Sequence, residues 1–294
     1  MIGIVAIEGA LHPGRLPLTD EDRSHARMIA SRYRATFDEV AIAADDQVSL
    51  HAWSMRPSGW NGSEIVLLHG QADNRAGMLG TADMLLHNGY AVLLPDARGH
   101  GESGGQIATY GVKEAGDVRR WFDWVKGSHR PACIDGLGDS MGAAQLLGSL
   151  AAVTEFCAVV AESAFGTFEE AAYDRLGQQF RTGPWLGRTL LRPAVEAGLL
   201  YARMKYEVDL KQANPRRAVS ESRVSILLIH GGADTNLPPR HSEMIKSGNK
   251  AVVLWEPPGA GHCGAAGAAP VEYQRRVVGW FASHESGRIV AASY

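Results

Sequence analysis

Short apolar runs recur along this chain and alternate with stretches of helical periodicity. Glu64 to Leu68, Ala91 to Leu94, Ala132 to Leu137, Ala158 to Ala161, Val224 to Ile229 and Ala251 to Trp255 are too brief for helices and too continuous for strands with one wet face. A strand buried on both faces reads this way, because neither set of alternating side chains meets water. Between these runs, Ala76 to Asn88 is helix-like and ends at Gly89, and Val112 to Lys126 carries Val118, Trp121, Phe122 and Val125 at helical spacing. Val271 to Ser283 repeats the pattern with Val277, Trp280 and Phe281. The alternation predicts an α/β fold with a parallel sheet covered on both sides. Upstream, Phe37 to Ile42 and Val48 to Met55 flank Ala44-Asp45-Asp46, which predicts an antiparallel hairpin. Thr19-Asp20-Glu21-Asp22 has the acidic first turn of a helix, so the charged segment to Arg34 is expected on the surface as a helix.

One segment breaks the alternation. About sixty residues separate the runs near Val160 and Ile226, far more than a strand-helix-strand crossover needs. Phe165 to Gln179 reads as helix, Gly183-Pro184 restarts the chain, and Trp185, Leu186, Leu190, Leu191, Val195, Leu199, Leu200 and Met204 form a broad apolar stripe. The pattern predicts a helical cap inserted at 165–215 into a core of 37–164 and 216–294, with 1–36 as an N-terminal extension. A cap of this kind lines an apolar pocket, with Phe165 or Trp185 as examples of residues able to touch a substrate.

Composition narrows the partners. With 294 residues, 45% of them hydrophobic, the chain can bury a sizeable core. A formal charge of -3 gives no basic excess, so neither nucleic acid nor an acidic membrane surface is an obligatory partner. The three cysteines, Cys133, Cys157 and Cys263, are odd in number and widely spaced, which predicts reduced thiols in a cytoplasmic protein and neither a disulfide framework nor a zinc site. Met1 to Ala10 is apolar but interrupted by Glu8, lacks a signal-peptide pattern, and falls short of the roughly 20 residues that span a bilayer. A soluble protein is the expectation; a second reading takes this run as the end of a longer membrane anchor.

The chemistry gathers at Gly138-Asp139-Ser140-Met141-Gly142, between a strand-like run and a small-residue helical run from Gly142 to Ala152. A turn from strand to helix this sharp crowds the positions two before and two after the serine, which suits Gly138 and Gly142. A serine hydroxyl is a poor nucleophile until a neutral imidazole takes its proton, and the imidazole needs a carboxylate to fix its tautomer. Open parallel sheets collect such groups at strand C-terminal ends. Asp234 lies in the turn after the strand ending at Ile229, and His262 in the loop after the next one, so Ser140, Asp234 and His262 are the candidate catalytic residues. Glu162, at the end of the preceding strand, competes for the acid's place; Asp234 is favoured because its Gly-Gly-Ala-Asp turn delivers a short carboxylate. Asp139 is expected to point away from the histidine, in a surface or helix-capping role. Arg98 and His100 are expected to order their Gly-rich loop, and Cys263 to be a passive small residue. A tetrahedral intermediate needs two preorganised donors, and the candidates are the backbone N–H groups of Met141 and Gln71.

His69-Gly70-Gln71, Asp96-Ala97-Arg98-Gly99-His100-Gly101-Glu102-Ser103, Gly138 to Gly142, Asp234 and His262 are ordered motifs by which the chain resembles the α/β-hydrolase family over about residues 37 to 285. Within it, the sequence is similar to the capped esterase, lysophospholipase and serine-aminopeptidase-like branch. That resemblance implies an α/β-hydrolase fold, with a mostly parallel eight-stranded sheet flanked by helices, and neither a metal nor an organic cofactor. The oxyanion loop departs from the His-Gly-Gly-Gly pattern of one lipase and esterase group, so long-chain lipase activity is not implied. The expected activity is that of a carboxylesterase acting through an acyl-enzyme on a small ester with an apolar acyl group. A small peptidase is the first alternative, followed by an acyltransferase and a noncatalytic binding protein on the same scaffold.

Overall fold

Strands that are apolar on both sides need cover on both faces, and helices supply it. The computed structural model describes residues 1–182 and 184–289, so Gly183 of the expected Gly183-Pro184 restart lies outside the described residues. In chain order the elements are α1 (Ile2–Leu11), α2 (Asp20–Arg32), β1 (Thr36–Ala43), β2 (Ser49–Arg56), β3 (Ser63–Leu68), α3 (Leu79–His87), β4 (Ala91–Pro95), α4 (Glu114–Ser128), β5 (Cys133–Asp139) and α5 (Met141–Gly148). They continue with β6 (Ala158–Glu162), α6 (Phe168–Gln179), α7 (Pro184–Arg188), α8 (Arg192–Tyr206), α9 (Pro215–Glu221), β7 (Ser225–Ile229), α10 (Arg240–Gly248), β8 (Val253–Trp255), α11 (Ala265–Ala268) and α12 (Pro270–Ile289).

The eight strands form one sheet in the order β1-β2-β4-β3-β5-β6-β7-β8. β1 and β2 are the expected antiparallel hairpin, β2 also runs antiparallel to β4, and every pairing from β4 to β8 is parallel. One face buries Val118, Trp121, Phe122 and Val125 of α4 with Leu146 and Leu147 of α5. The other face packs Leu85 and Leu86 of α3 and Val277 and Phe281 of α12. Val118, Trp121, Phe122, Val125, Val277 and Phe281, read from the spacing, are among the residues that make these contacts, and Trp280 packs beside them partly buried. Thr19 caps α2 through a reciprocal bond with Asp22, so the acidic first turn sits where the helix dipole favours it.

Helices α6 to α9 occupy the long excursion between β6 and β7. Its apolar stripe divides: Val195 and Leu199 are buried, whereas Trp185, Leu190, Leu200 and Met204 are each more than half exposed. Residues four apart share a helix face, so the Val195–Leu199 face of α8 turns inward and the adjoining Leu200–Met204 face meets water. α8 packs against α1, and this contact is close enough to exclude side chains. A Cβ on Gly198 would lie 2.6 Å from the Gly3 carbonyl oxygen, and one on Gly3 would lie 1.7 Å from that of Ala194. Among the described residues no helix is long and apolar enough to cross a membrane.

The cysteine expectation is corrected. Cys133 and Cys157 form a disulfide, leaving Cys263 as the free thiol. They are 24 residues apart in sequence, but the crossover through α5 brings the first residue of β5 beside the residue preceding β6, at a Cα separation of 5.9 Å. Spacing along the chain carries no trace of that adjacency. Closing a loop of this length stabilises a folded protein by about 3 kcal/mol. Cys157→Ser should therefore lower the thermal midpoint, and dithiothreitol should lower the wild-type midpoint toward that of the variant; equal midpoints for oxidised and reduced wild type would count against the bond.

Candidate active site

Ser140 is the residue between β5 and α5, with φ 52° and ψ -110°. That region is strained for any residue with a side chain, at a cost of about 1–3 kcal/mol. The surroundings hold it there. Ser140 N–H donates to the Glu162 carbonyl at 2.8 Å, and its own carbonyl accepts the α5 bond from Ala144 at 3.1 Å. A Cβ on Gly138 would stand 2.6 Å from the Gly142 carbonyl carbon, and one on Gly142 would stand 2.3 Å from the Leu68 carbonyl oxygen. Both glycines are thus required by backbone approach, and the approach at Gly142 is what sets α5 against the end of β3.

The loops after β7 and β8 bring their side chains to this turn. His262 Nε2 lies 2.8 Å from Ser140 Oγ, and His262 Nδ1 lies 2.7 Å from Asp234 Oδ2. Asp234 is itself fixed, since its Oδ1 accepts from the N–H groups of Asn236 and Leu237, each at 2.9 Å. Burial alone would raise the pKa of this carboxyl, but His230, His262 and the Leu237 N–H outweigh it and hold the group well below the usual carboxylate range. Asp234 is therefore an anion throughout the neutral range, fit to hold Nδ1–H of His262 and leave Nε2 free to accept the serine proton.

Glu162 is engaged elsewhere, accepting the Ala265 N–H at 2.9 Å, and burial raises its carboxyl above the ordinary range. His69 and His100 pack edge to face at 5.3 Å and fasten the loops on either side of Gln71. His69 accepts from the Ala97 N–H at 3.0 Å and bonds the Gly70 carbonyl at 2.7 Å; His100 accepts from the Ala72 N–H at 3.2 Å and bonds the Arg98 carbonyl at 3.0 Å. Arg98 is bound to Asp117 and Asp46. Burial pushes the Cys263 thiol far up, which keeps it protonated and inert.

Two cavities meet at Ser140. One, of about 390 Å³, is walled by Gln71, Met141, Tyr110, Phe165, Phe168 and residues of α1, α6 and α8. The other, of about 380 Å³, is lined by Gly70, Gln71, Asp73, Asp139, Asn236 and His262, and Arg175 borders both. Met141 opens α5, and the leading N–H groups of a helix have no acceptor within it, so they are available to a developing anion. Phe165 lines the first cavity, but Trp185 is 67% exposed and lies outside both linings. Asp139 is also placed differently from the surface role expected of it. It faces the second cavity with Oδ1 buried and unpartnered, and burial together with Glu162 and Asp73 raises its carboxyl well above the usual range. Sequence reasoning missed α1, Tyr110 and Arg175 as wall residues, because nothing in their spacing ties them to the strand ends.

Fold and site together describe a hydrolase on a mostly parallel α/β sheet. A model of the alpha/beta hydrolase family matches residues 65–275, and the chain belongs to that family. An uncharacterized protein of Bacillus subtilis, YqkD, is 26% identical over 198 residues, and the match spans 65% of this chain and 63% of that one. An uncharacterized protein of Mycobacterium tuberculosis is 28% identical over 236 residues, covering 76% of this chain and 72% of its own. Among solved structures, the Pyrococcus furiosus esterase Pf2001 superposes with a TM-score of 0.73 at 24% identity, over 94% of this chain and 100% of that one. A puromycin-hydrolyzing peptidase of Mycobacterium tuberculosis superposes with a TM-score of 0.66 at 15% identity, over 86% of this chain and 40% of its own. These likenesses concern the fold.

Burial pushes the His69 and His100 imidazoles below their ordinary 6.5, so the folded protein holds them neutral while the unfolded chain takes up protons as the pH falls below that value. Unfolding free energy should accordingly drop on acidification through this window, by up to about 1.4 kcal/mol per pH unit for each group. Urea unfolding between about pH 7.5 and about pH 5.5 measures the slope. His100→Gln should flatten it, and a wild-type slope of zero would contradict neutral burial.

Proposed function

We propose that this protein is a serine hydrolase cleaving carboxylic esters with an apolar acyl group. The observation that carries the reading is the unbroken chain Ser140 Oγ, His262, Asp234, at 2.8 Å and 2.7 Å, opening into a cavity whose walls include Phe165, Phe168 and Tyr110. Ser140 attacks the ester carbonyl as His262 takes its proton, and the N–H groups of Met141 and Gln71 hold the oxyanion. The collapsing intermediate expels the alcohol, which receives the proton from His262, and a water activated by the same imidazole releases the acyl group. The acyl chain fits the apolar cavity. The leaving alcohol fits the cavity bearing Asp73, Asp139 and Asn236, since a polar group is better matched where polar side chains can hydrogen-bond it. In this reading α6 to α8 serve as the cap over Ser140.

A peptidase is the rival, since some similar folds belong to peptidases. The chain covers only 40% of the length of the puromycin-hydrolyzing enzyme and of the Pyrococcus horikoshii acylaminoacyl peptidase. The esterase Pf2001, by contrast, is covered over its whole length. That difference in extent favours the ester reading.

Ser140→Ala should abolish both p-nitrophenyl ester hydrolysis and labelling by a fluorophosphonate, and persistent labelling would sink the assignment. Asp234→Asn should lower kcat by about 10⁴ by releasing the histidine tautomer. Aminoacyl anilides cleaved faster than esters would transfer the function to the peptidase.

A further inference from the structure

The cavity that opens on Ser140 is not closed by the excursion between β6 and β7 alone. Gly3, Ala6, Ile7, Gly9 and Ala10 of α1 also line it. Positions 3, 6, 7 and 10 recur at the spacing of one helix face, and Gly9 flanks Ala6 and Ala10 on its edge. Ala6 lies toward the edge of this face, on the side where Gly9 adjoins it. Its methyl group is exposed, and since the residue lines the cavity, the space beside it is available to a ligand. At one end of this face Gly3 is jammed against Ala194 of α8. The face is therefore anchored by packing at Gly3 and left open to the cavity at Ala6.

The attachment of α1 is specific. At its C-terminal end Tyr110, itself a wall residue, donates its hydroxyl to the Ala10 carbonyl at 2.7 Å, and the Ala108 N–H donates to that of Leu11 at 2.9 Å. Along its flank Glu8 accepts from Lys205 at 2.8 Å and from the hydroxyls of Tyr201 and Tyr206 on α8. Just beyond the helix, Arg15 donates to the carbonyls of Gly99, Ser103 and Gly105. An apolar helix merely lying on the surface needs none of these polar ties. Here they fix its distance from Tyr110 and α8, and so the width of the cavity.

We infer that α1 is the specificity-determining wall of the acyl site: the small side chains of Ala6, Gly9 and Ala10 set how long an acyl chain can be seated while its carbonyl stays at Ser140. The inference rests on the ester reading above and names the part of the substrate that α1 measures. A wall of small residues admits a methylene chain; a branched side chain at Ala6 occupies the same volume and displaces it.

The test uses the full chain and kcat/KM for p-nitrophenyl acetate, butyrate, octanoate and decanoate. Ala6→Leu and Gly9→Leu should each lower the octanoate-to-acetate ratio at least about tenfold, the discrimination that one or more displaced methylenes produce in an apolar pocket. Gly9→Leu guards against misfolding as an explanation, because a Cβ there meets nothing within 4 Å and leucine favours helix over glycine. Val5→Ala, on the solvent side of α1 at 66% exposure, should leave the ratio unchanged. An unchanged ratio in both leucine variants, with thermal midpoints equal to wild type, would reduce α1 to a structural support and overturn the inference. Failure of the wild type to hydrolyse any ester of the series would instead remove the ester reading, and the acyl gauge with it.

Discussion

The contact on which this molecule turns is the close approach of the α5 backbone to the end of β3. Gly142 lies so near the Leu68 and His69 carbonyls that no Cβ can enter, and this contact leaves Ser140 no relaxed conformation between β5 and α5. Its positive φ makes the turn from strand to helix, and Met141 directly after it is the first residue of α5. A strain of about 1–3 kcal/mol in one residue is small against the burial that maintains it. Leu137, Leu146 and Leu147 are each fully buried around the turn. Hydrophobic packing on both faces of the sheet thus acts as the clamp, and the half-buried serine held at the turn is its product.

Polar groups around the turn are arranged so that each strand end fixes a different part of the chemistry. The loop after β3 is held by the neutral pair His69 and His100, which satisfy backbone donors at Ala97 and Ala72. Beneath them Asp96 accepts from the Arg75 backbone and guanidinium at 2.8 Å each, and Arg75 is 1% exposed. A buried pair of this kind adds little net stability, but losing either partner strands a charge. Its effect here is positional, because it ties the Gln71 loop to the loop that follows β4. The loops after β7 and β8 are joined in turn by Asp234 and His262. Neither half of the site depends on a flexible side chain for its placement.

Most of this was legible in the sequence wherever one physical cause dominated. Two-faced burial marks strands plainly, so β3 to β8 were found within a residue or two of their ends, and the order of Ser140, Asp234 and His262 followed from the turns that close them. The disulfide was not legible, because pairing of Cys133 with Cys157 depends on which strands become neighbours. Trp185 was misjudged for a related reason: an apolar stripe wider than one helix face does not say which edge turns inward. Asp139 was read as pointing away from the histidine in a surface or helix-capping role, yet it lines the second cavity with a buried oxygen. Helix α1 was the largest omission. Its pattern is that of an apolar segment of uncertain destination, and its partner α8 lies almost two hundred residues away in sequence.

That omission also explains how the chemistry and the choice of substrate are divided. Ser140, Asp234 and His262 hang from strand ends, where a shift of a fraction of an ångström must be resisted by a close-packed core on both sides. The walls of the larger cavity come instead from α1, α6 and α8, which form a separate apolar cluster with Met141 and Ala144 of α5 on its floor. That floor is common to both, as is Leu237, which lines the cavity while its N–H bonds Asp234. In the proposed reading, volume changed at α1, which touches neither Asp234 nor His262, alters the cavity without moving Ser140. The arrangement permits the pocket to vary while the strained turn stays fixed, so under the proposed function selectivity would belong to the helices and chemistry to the strand ends.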